Sequence, residues 1–286
     1  MKETMNNPKL SPCLKWVGGK RQLVDRILER CPSKFERYYE PFIGGGTILF
    51  NLMPEQAVIS DVNEQLICMY KHLKEDVHTV ISEIRNIEAV PCDKDYYYWM
   101  RDKFNKKISN QELDAECAAL MIWINKHCYN GLYRVNSKGL YNVPYCNNAT
   151  VKTIKEENLI NIGTFLKTRN IDIRVQDFEE ACVEAKAGDF VYFDSPYIPE
   201  SQTACFTSYT NTGFSREDHE RLAKLFTDLD RRGVQLMLSN NNVPQIYELY
   251  AGFSIETVNV RRNINCDANK RTGQEVIITN YNINKK

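Results

Sequence analysis

Four consecutive residues, Asp194-Ser195-Pro196-Tyr197, bring together a carboxylate, main-chain carbonyls, a rigid turn and a flat aromatic face. Those parts are what is needed to hold a planar base by its exocyclic amine. The carboxylate and a carbonyl each accept an N–H, and the ring stacks. The preceding run Phe190-Val191-Tyr192-Phe193 reads as a buried parallel strand opening into a loop. Ligands of α/β sheets bind at the carboxyl ends of such strands. A plain proline turn would look the same in isolation, so the weight of the quartet depends on what accompanies it.

Glu40-Pro41-Phe42-Ile43-Gly44-Gly45-Gly46-Thr47 is a glycine-rich passage from strand to helix. Without Cβ atoms its main chain can approach a ligand closely, and the helix start offers free N–H groups. Asp61 ends the next strand, where an acid in a nucleoside-binding sheet accepts hydrogen bonds from ribose hydroxyls. The glycine spacing is not that of the dinucleotide fingerprint. Lys15-Trp16-Val17-Gly18-Gly19-Lys20 is not a phosphate loop either: its spacing is wrong, and Arg21 stands where Ser or Thr is required. Asp177-Phe178 follows another strand, which gives a common helix-capping dipeptide some weight as an adenine contact.

These residues need elements to position them. A helix is expected from about Lys20 to Arg30, a strand at Tyr38–Phe42, a helix at Ile48–Leu52 and a strand at Ala57–Asp61. From about Leu66 to Ile160 the pattern is helices and turns. Leu113, Cys117, Leu120, Ile124 and Cys128 fall on one helical face that ends at Asn130-Gly131. Leu132–Val135 and Leu140–Val143, flanking Asn136-Ser137-Lys138-Gly139, read as a β-hairpin. Alternation of strand and helix then resumes: strands at Ile171–Val175, Phe190–Phe193 and Val234–Asn240, a helix from about Arg216 to Arg231, and an antiparallel closing pair at Phe253–Val258 and Glu275–Asn280. The expected fold is α/β, interrupted by a mostly helical insert.

Composition sets the class. The 286 residues are 43% hydrophobic and 26% charged, an ordinary globular balance, with a formal net charge of zero. Global charge therefore argues for no partner, although a local basic face still could. No apolar stretch is long enough to span a membrane, and Met1–Thr4 shows no signal-peptide core, so a cytoplasmic location is expected. The ten cysteines include no C-x-x-C pair, which favours reduced thiols, several of them core fillers. The four histidines have no ligand spacing with them, so no metal site is expected.

A glycine loop, an acidic ribose site and an Asp-Ser-Pro-Tyr loop follow one another in a fixed order. Together with Ser60–Asn63, Tyr129–Asn136, Asn142–Tyr145, Tyr192–Pro199, Phe206–Tyr209, Leu238–Asn240 and Val260–Arg262, they cover the chain from Lys15 to about Asn280. In these segments the sequence resembles the DNA adenine-N6 methyltransferases, in particular the Dam group (D12 class, α arrangement of motifs). One residue departs: that family's loop is usually Asp-Pro-Pro-Tyr, and Ser195 replaces the first proline. The family residue contributes its main-chain carbonyl, which serine also has, while serine lacks the fixed φ.

The resemblance implies a Rossmann-like S-adenosylmethionine-dependent sheet, residues 1–65 and 161–286, with a target-recognition domain inserted at 66–160 and containing the hairpin. It implies S-adenosyl-L-methionine as cofactor, held by Trp16, Lys20, Phe42, Gly44, Gly46, Asp61, Asp177, Phe178 and Asp194, with Lys20 facing the methionine carboxylate. Catalysis falls to Asp194, Ser195, Pro196 and Tyr197. The implied partner is double-stranded DNA, with GATC as the site, the target adenine flipped out, and no obligate protein partner evident. Arg134 is the expected reader of the guanine beside the target; Asn130, Leu132 and Pro144 would meet adjoining bases, and Lys15, Tyr129 and Lys138 complete the DNA surface. Lys126, Arg134, Lys138, Arg261, Arg262, Lys270 and Arg271 are expected to form one basic face. Two other readings share parts of the pattern: an amino methyltransferase acting on cytosine N4 or on RNA, and a DNA-binding protein without catalysis.

Overall fold

Phe190, Val191, Tyr192 and Phe193 are all buried, which requires cover on both faces of their strand. The computed structural model, which describes residues 10–20, 22–148, 151, 154–199, 213–261 and 272–282, supplies that cover. Seven strands form one sheet: β1 (Tyr38–Glu40), β2 (Gln56–Asp61), β3 (Asn170–Val175), β4 (Phe190–Phe193), β5 (Gln235–Asn241), β6 (Ser254–Arg261) and β7 (Thr272–Thr279), in the order β3-β2-β1-β4-β5-β7-β6. The pairs β3–β2, β2–β1, β1–β4 and β4–β5 are parallel, and β7 runs antiparallel to both β5 and β6.

Side-chain alternation sorts the strands into two cores. Tyr38, Ala57, Ile59, Phe190, Tyr192 and Ile277 join one cluster, with residues of α1 (Val24–Leu28), α2 (Thr47–Leu52), α3 (Glu64–Glu88), α4 (Lys94–Asn110), α5 (Ala115–His127) and α6 (Glu156–Thr168). Tyr39, Val58, Val191, Phe193, Val276 and Ile278 join the other, with α7 (Phe178–Ala181), α8 (Arg216–Arg231) and α9 (Pro244–Leu249). The result is a three-layer α/β/α sheet.

Local chemistry fixes the element ends. Asn63 caps α3 by accepting from Leu66 N at 2.9 Å. Asp76 leaves helical geometry inside α3 (φ −151°) and accepts from His78 N and Thr79 N, so the long helix kinks and is capped anew there. Ser215 and Asp218 form a reciprocal capping box at the start of α8.

Three expectations differ in detail. The first helix is only Val24–Leu28, because the chain at Lys20 turns its side chain inward instead of starting a helix. Strands β6 and β7 are each longer than expected. The 132–143 segment folds back as a hairpin-like loop with isolated bridges, Val135–Tyr141 and Cys128–Tyr145, rather than as two regular strands. There Asn105 of α4 takes both main-chain groups of Tyr141, accepting from N at 2.8 Å and donating to O at 3.0 Å, so no further strand adds on that side.

Candidate active site

The sheet order reverses between β1 and β4. From β1 the chain moves outward through β2 to β3, and from β4 it moves the other way to β5. The loops leaving the carboxyl ends of adjacent strands at such a switch point border one crevice. Asp177, Asp61, the glycine loop, Asp194–Tyr197 and Ser239–Asn241 therefore lie in a row along one edge.

Asp194 is the first residue past β4, half-buried. Its Oδ1 stands 2.7 Å from Lys20 Nζ and accepts from Ser239 Oγ at 3.3 Å; Ser239 in turn shares a hydrogen bond with the Tyr192 hydroxyl at 2.8 Å. Lys20 Nζ also donates to the Tyr197 hydroxyl at 3.0 Å and to Gly18 O at 3.1 Å, and lies 4.7 Å from the centre of the Tyr197 ring. Burial opposes the Lys20 charge, but Asp194, Tyr197 and Glu275 outweigh it and hold the ammonium above its ordinary value. Burial also raises the Asp194 carboxyl, with Lys20 pulling the other way. The structure thus puts Lys20 against the Asp-Ser-Pro-Tyr carboxylate, where the sequence suggested a cofactor carboxylate.

The loop itself is fastened from β5. Asn240, 1% exposed, donates through Nδ2 to Ser195 Oγ at 3.1 Å and Pro196 O at 3.2 Å, and its Oδ1 accepts from Ile198 N at 3.2 Å. Asn241 adds a pair of bonds to Ile198, accepting from N at 3.1 Å and donating to O at 2.8 Å. Ser195, which lacks the ring that would fix its backbone, is held by its hydroxyl instead. Leu238-Ser239-Asn240 carried resemblance in the sequence, but nothing there singled out the two asparagines as the brace of the loop.

The glycine loop is shaped by what packs on it. A Cβ on Gly44 would meet the Trp16 indole at 2.7 Å, and one on Gly46 would meet the Tyr70 hydroxyl at 2.8 Å; their φ values are +45° and +72°. Tyr70 donates to Gly44 O at 2.9 Å. Asp61 accepts from Gly44 N at 3.3 Å and Asn63 N at 3.0 Å, one bond to each oxygen, so acceptor capacity remains for a ligand. Burial pushes its carboxyl up to about 6, against the N–H groups of Asn63, Gly44 and Val62. Behind the loop, buried Glu40 accepts from the Tyr38 hydroxyl at 2.8 Å and from Leu49 N at 3.1 Å, satisfying the start of α2, whose cap Gly46 has no side chain. Glu40 was read only as a strand residue opening the glycine-rich passage.

At the far end of the row, Asp177 caps α7 through Glu179 N at 3.0 Å and pairs with Arg221 at 2.9 Å. Phe178 is buried beneath half-buried Phe42, their rings stacked at 5.5 Å, with the Arg221 guanidinium 4.8 Å from the Phe178 ring centre. The next-door Gln176 Oε1 is buried and lacks a hydrogen-bond partner among the described residues. An aromatic wall with an orphaned acceptor, beside a carboxylate with spare capacity, fits a nucleoside.

The segment 129–136 packs directly on the residues before the glycine loop. Asn125 of α5 accepts from Lys15 N at 2.8 Å and donates to Lys15 O at 2.8 Å and Gly131 O at 3.1 Å. Gly131, at φ +65°, leaves room for the Lys15 side chain; a Cβ would come within 2.3 Å of it. Tyr133 stacks on Trp16 at 5.5 Å, so Trp16 touches both this segment and the glycine loop. Lys15, Tyr129, Asn130, Arg134, Lys138 and Pro144 are exposed and Leu132 half-buried. Arg134 is steadied by Asn142, which accepts from its Nε at 2.7 Å. Arg262, Lys270, Arg271 and Phe206–Tyr209 lie outside the described residues, and Arg261 is described by its main chain only. Among the described residues no group of three metal-ligating side chains converges, and no helix is long and apolar enough to cross a membrane.

Comparison with known proteins agrees with this geometry. The chain is 42% identical to the type II methyltransferase M.MjaIII of Methanocaldococcus jannaschii, over 96% of this chain and 100% of that protein. It is 41% identical to the type II methyltransferase M1.LlaDCHI of Lactococcus lactis subsp. cremoris, over 96% and 97%. With the DNA adenine methylase of Escherichia coli K12 it shares 29% identity over 94% of each. The model of the D12 class N6 adenine-specific DNA methyltransferases matches residues 16–264, from Trp16 of the first packing contact on the glycine loop to beyond β6. The chain belongs to that family.

Proposed function

We propose that this protein transfers a methyl group to N6 of an adenine flipped out of duplex DNA, within GATC, and that residues 66–160 serve as its target-recognition domain. The observation that carries the reading is the placement of Asp194 and its braced loop at the sheet's switch point, one strand from the glycine loop and two from Asp61. The adenine-specific family model favours adenine over cytosine N4, and the intact Asp194–Tyr197 quartet speaks against a binding protein without catalysis.

S-adenosyl-L-methionine, the donor the family implies, supplies an electrophilic methyl group when bound. Asp61 would accept from its ribose hydroxyls, Phe42 and Phe178 would wall its adenine with Asp177 alongside, and Gly44, Gly46 and Trp16 would shape the floor. Asp194 and Ser195 O each accept one N–H of the target amine. An adenine amine is a poor nucleophile because its lone pair is delocalised into the ring, and two acceptors on its hydrogens draw that pair out of conjugation and aim it. Positioning and electrostatics supply most of the acceleration. Tyr197 stacks on the base, and Pro196 sets the turn that separates the carboxylate from the ring. None of these contacts is reachable inside a stacked duplex, hence the flipped base.

Arg134, whose Nε donates to Asn142 Oδ1, would present its remaining donors to guanine O6 and N7. Lys15, Tyr129, Asn130, Leu132, Lys138 and Pro144 would complete the DNA surface, with Arg261 and Arg262 adding to it. The test is incubation of duplex DNA with labelled donor, followed by digestion to nucleosides. Label in N6-methyl-2′-deoxyadenosine supports the reading; label in N4-methyl-2′-deoxycytidine, or in none of the DNA nucleosides, refutes it.

A further inference from the structure

The Lys20 ammonium has two carboxylates within reach. It is 2.7 Å from Asp194 Oδ1 and 3.8 Å from Glu275 Oε2. Only the first distance is a hydrogen bond. Glu275 Oε2 is buried and has no hydrogen-bond partner among the described residues. A buried carboxylate oxygen without a donor is costly, so it marks a seat that the fold holds in reserve. A shift of roughly 1 Å would bring Lys20 to the ordinary charge-assisted distance of about 2.8 Å.

The reaction needs such a seat. On the adenine-methylation reading, on which this inference rests, Asp194 must accept an N–H from the target amine, yet its Oδ1 is held by Lys20 and Ser239, and an ammonium drawing on the carboxylate weakens it as an acceptor. Pulling a buried ammonium off its partner, with nothing to receive it, strands a charge in a poorly solvated place. We propose that Glu275 is a positioning residue that receives Lys20 when the target amine docks on Asp194. The exchange moves no proton and breaks no covalent bond.

The elements suit the two roles. Glu275 sits in β7 between β5 and β6, in register with Asn241 on one side and Val258 on the other, so its position is fixed. Lys20 is carried by the loop before α1 on a long unbranched side chain, the part that can move. Two carboxylates and one ammonium keep a net negative charge throughout, facing the positive charge that develops on the amine.

The experiment is single-turnover methylation at saturating DNA and donor, in a double-mutant cycle. Glu275→Gln keeps the shape and removes the charge, and is expected to slow the step by about tenfold or more while donor affinity, read by calorimetry, stays within about twofold. In a Lys20→Gln background the same change is expected to cost less than about twofold, because no ammonium then contests Asp194. Glu275→Asp, charged but shorter, is expected to lose less than Glu275→Gln, and thermal melts confirm that each variant is folded. An equal loss in both backgrounds, equal losses for Gln and Asp, or no loss at all overturns the proposal. Wild-type enzyme that leaves adenine unmethylated defeats the underlying reading instead, before any variant is made.

Discussion

On the proposed reading, Asp194 meets two requirements that pull apart: it would accept from an uncharged amine, and it rests against a cation, Lys20, at 2.7 Å. Asp194→Ala is expected to lower the single-turnover rate by about 10²-fold or more, the usual scale for losing a preorganised electrostatic contact. Donor affinity should stay near the wild-type value; a mutant with near wild-type turnover contradicts the role. Asp61 offers a pH test. Its folded-state carboxyl lies at about 6, so it is neutral below that pH and a full acceptor pair above it. Donor affinity is therefore expected to strengthen as pH rises from 5 to 7, and the slope should vanish in Asp61→Asn, both read by calorimetry. Asp194 and Asp61 were legible because each ends a strand at the sheet's binding edge. Lys20 and Glu275 were not legible in their roles. Lys20 was read as a partner for the donor's carboxylate and Glu275 only as part of a closing strand, and their meeting depends on β7 returning beside β5.

The loop that presents Asp194 is only as rigid as the strand beneath it. With serine in place of a ring-locked residue at 195, the brace passes to Asn240 on β5. Asn240→Ala is expected to reduce the methylation rate by about tenfold and to destabilise the fold by about 1–3 kcal/mol, since buried main-chain groups of the loop lose their partners. Ser195→Ala should cost less and should add little on top of Asn240→Ala, because both remove one shared bond. Rate assays and urea melts of the two single variants and the double measure this; simple additivity contradicts it. The helix Arg216–Arg231 was readable from its stripe of Leu222, Leu225, Phe226 and Leu229, all buried. The hairpin was readable only as a reversal. Asn105 of α4, which takes the main chain of Tyr141, joins positions 36 apart, and local spacing carries no trace of that bond. The brace joins residues 45 apart and was invisible for the same reason.

At the scale of the molecule, two surfaces are joined by one short segment. Asn125 ties Lys15 to the 131 turn, and Trp16 lies between Tyr133 and the glycine loop, so segment 129–136 and the glycine loop share a wall. Net charge of zero gave no hint of a nucleic-acid partner; the family match and the exposed Lys15, Arg134 and Lys138 point to one. Arg134 separates specific from general contact. Arg134→Ala is expected to lose roughly 1–3 kcal/mol of discrimination at one base pair beside the target. Methylation rates on GATC and on duplexes altered at the first base measure this, and an equal loss on every duplex would make the arginine a phosphate contact.

The central claim, adenine methylation at a defined site, is tested most directly by mapping modified bases in the genomic DNA of a host that lacks its own adenine methylation and expresses this chain. The account predicts N6-methyladenine at GATC and nowhere else, absent when Asp194→Ala is expressed. N6-methyladenine confined to another sequence would contradict the GATC assignment, and DNA free of N6-methyladenine would contradict the account as a whole.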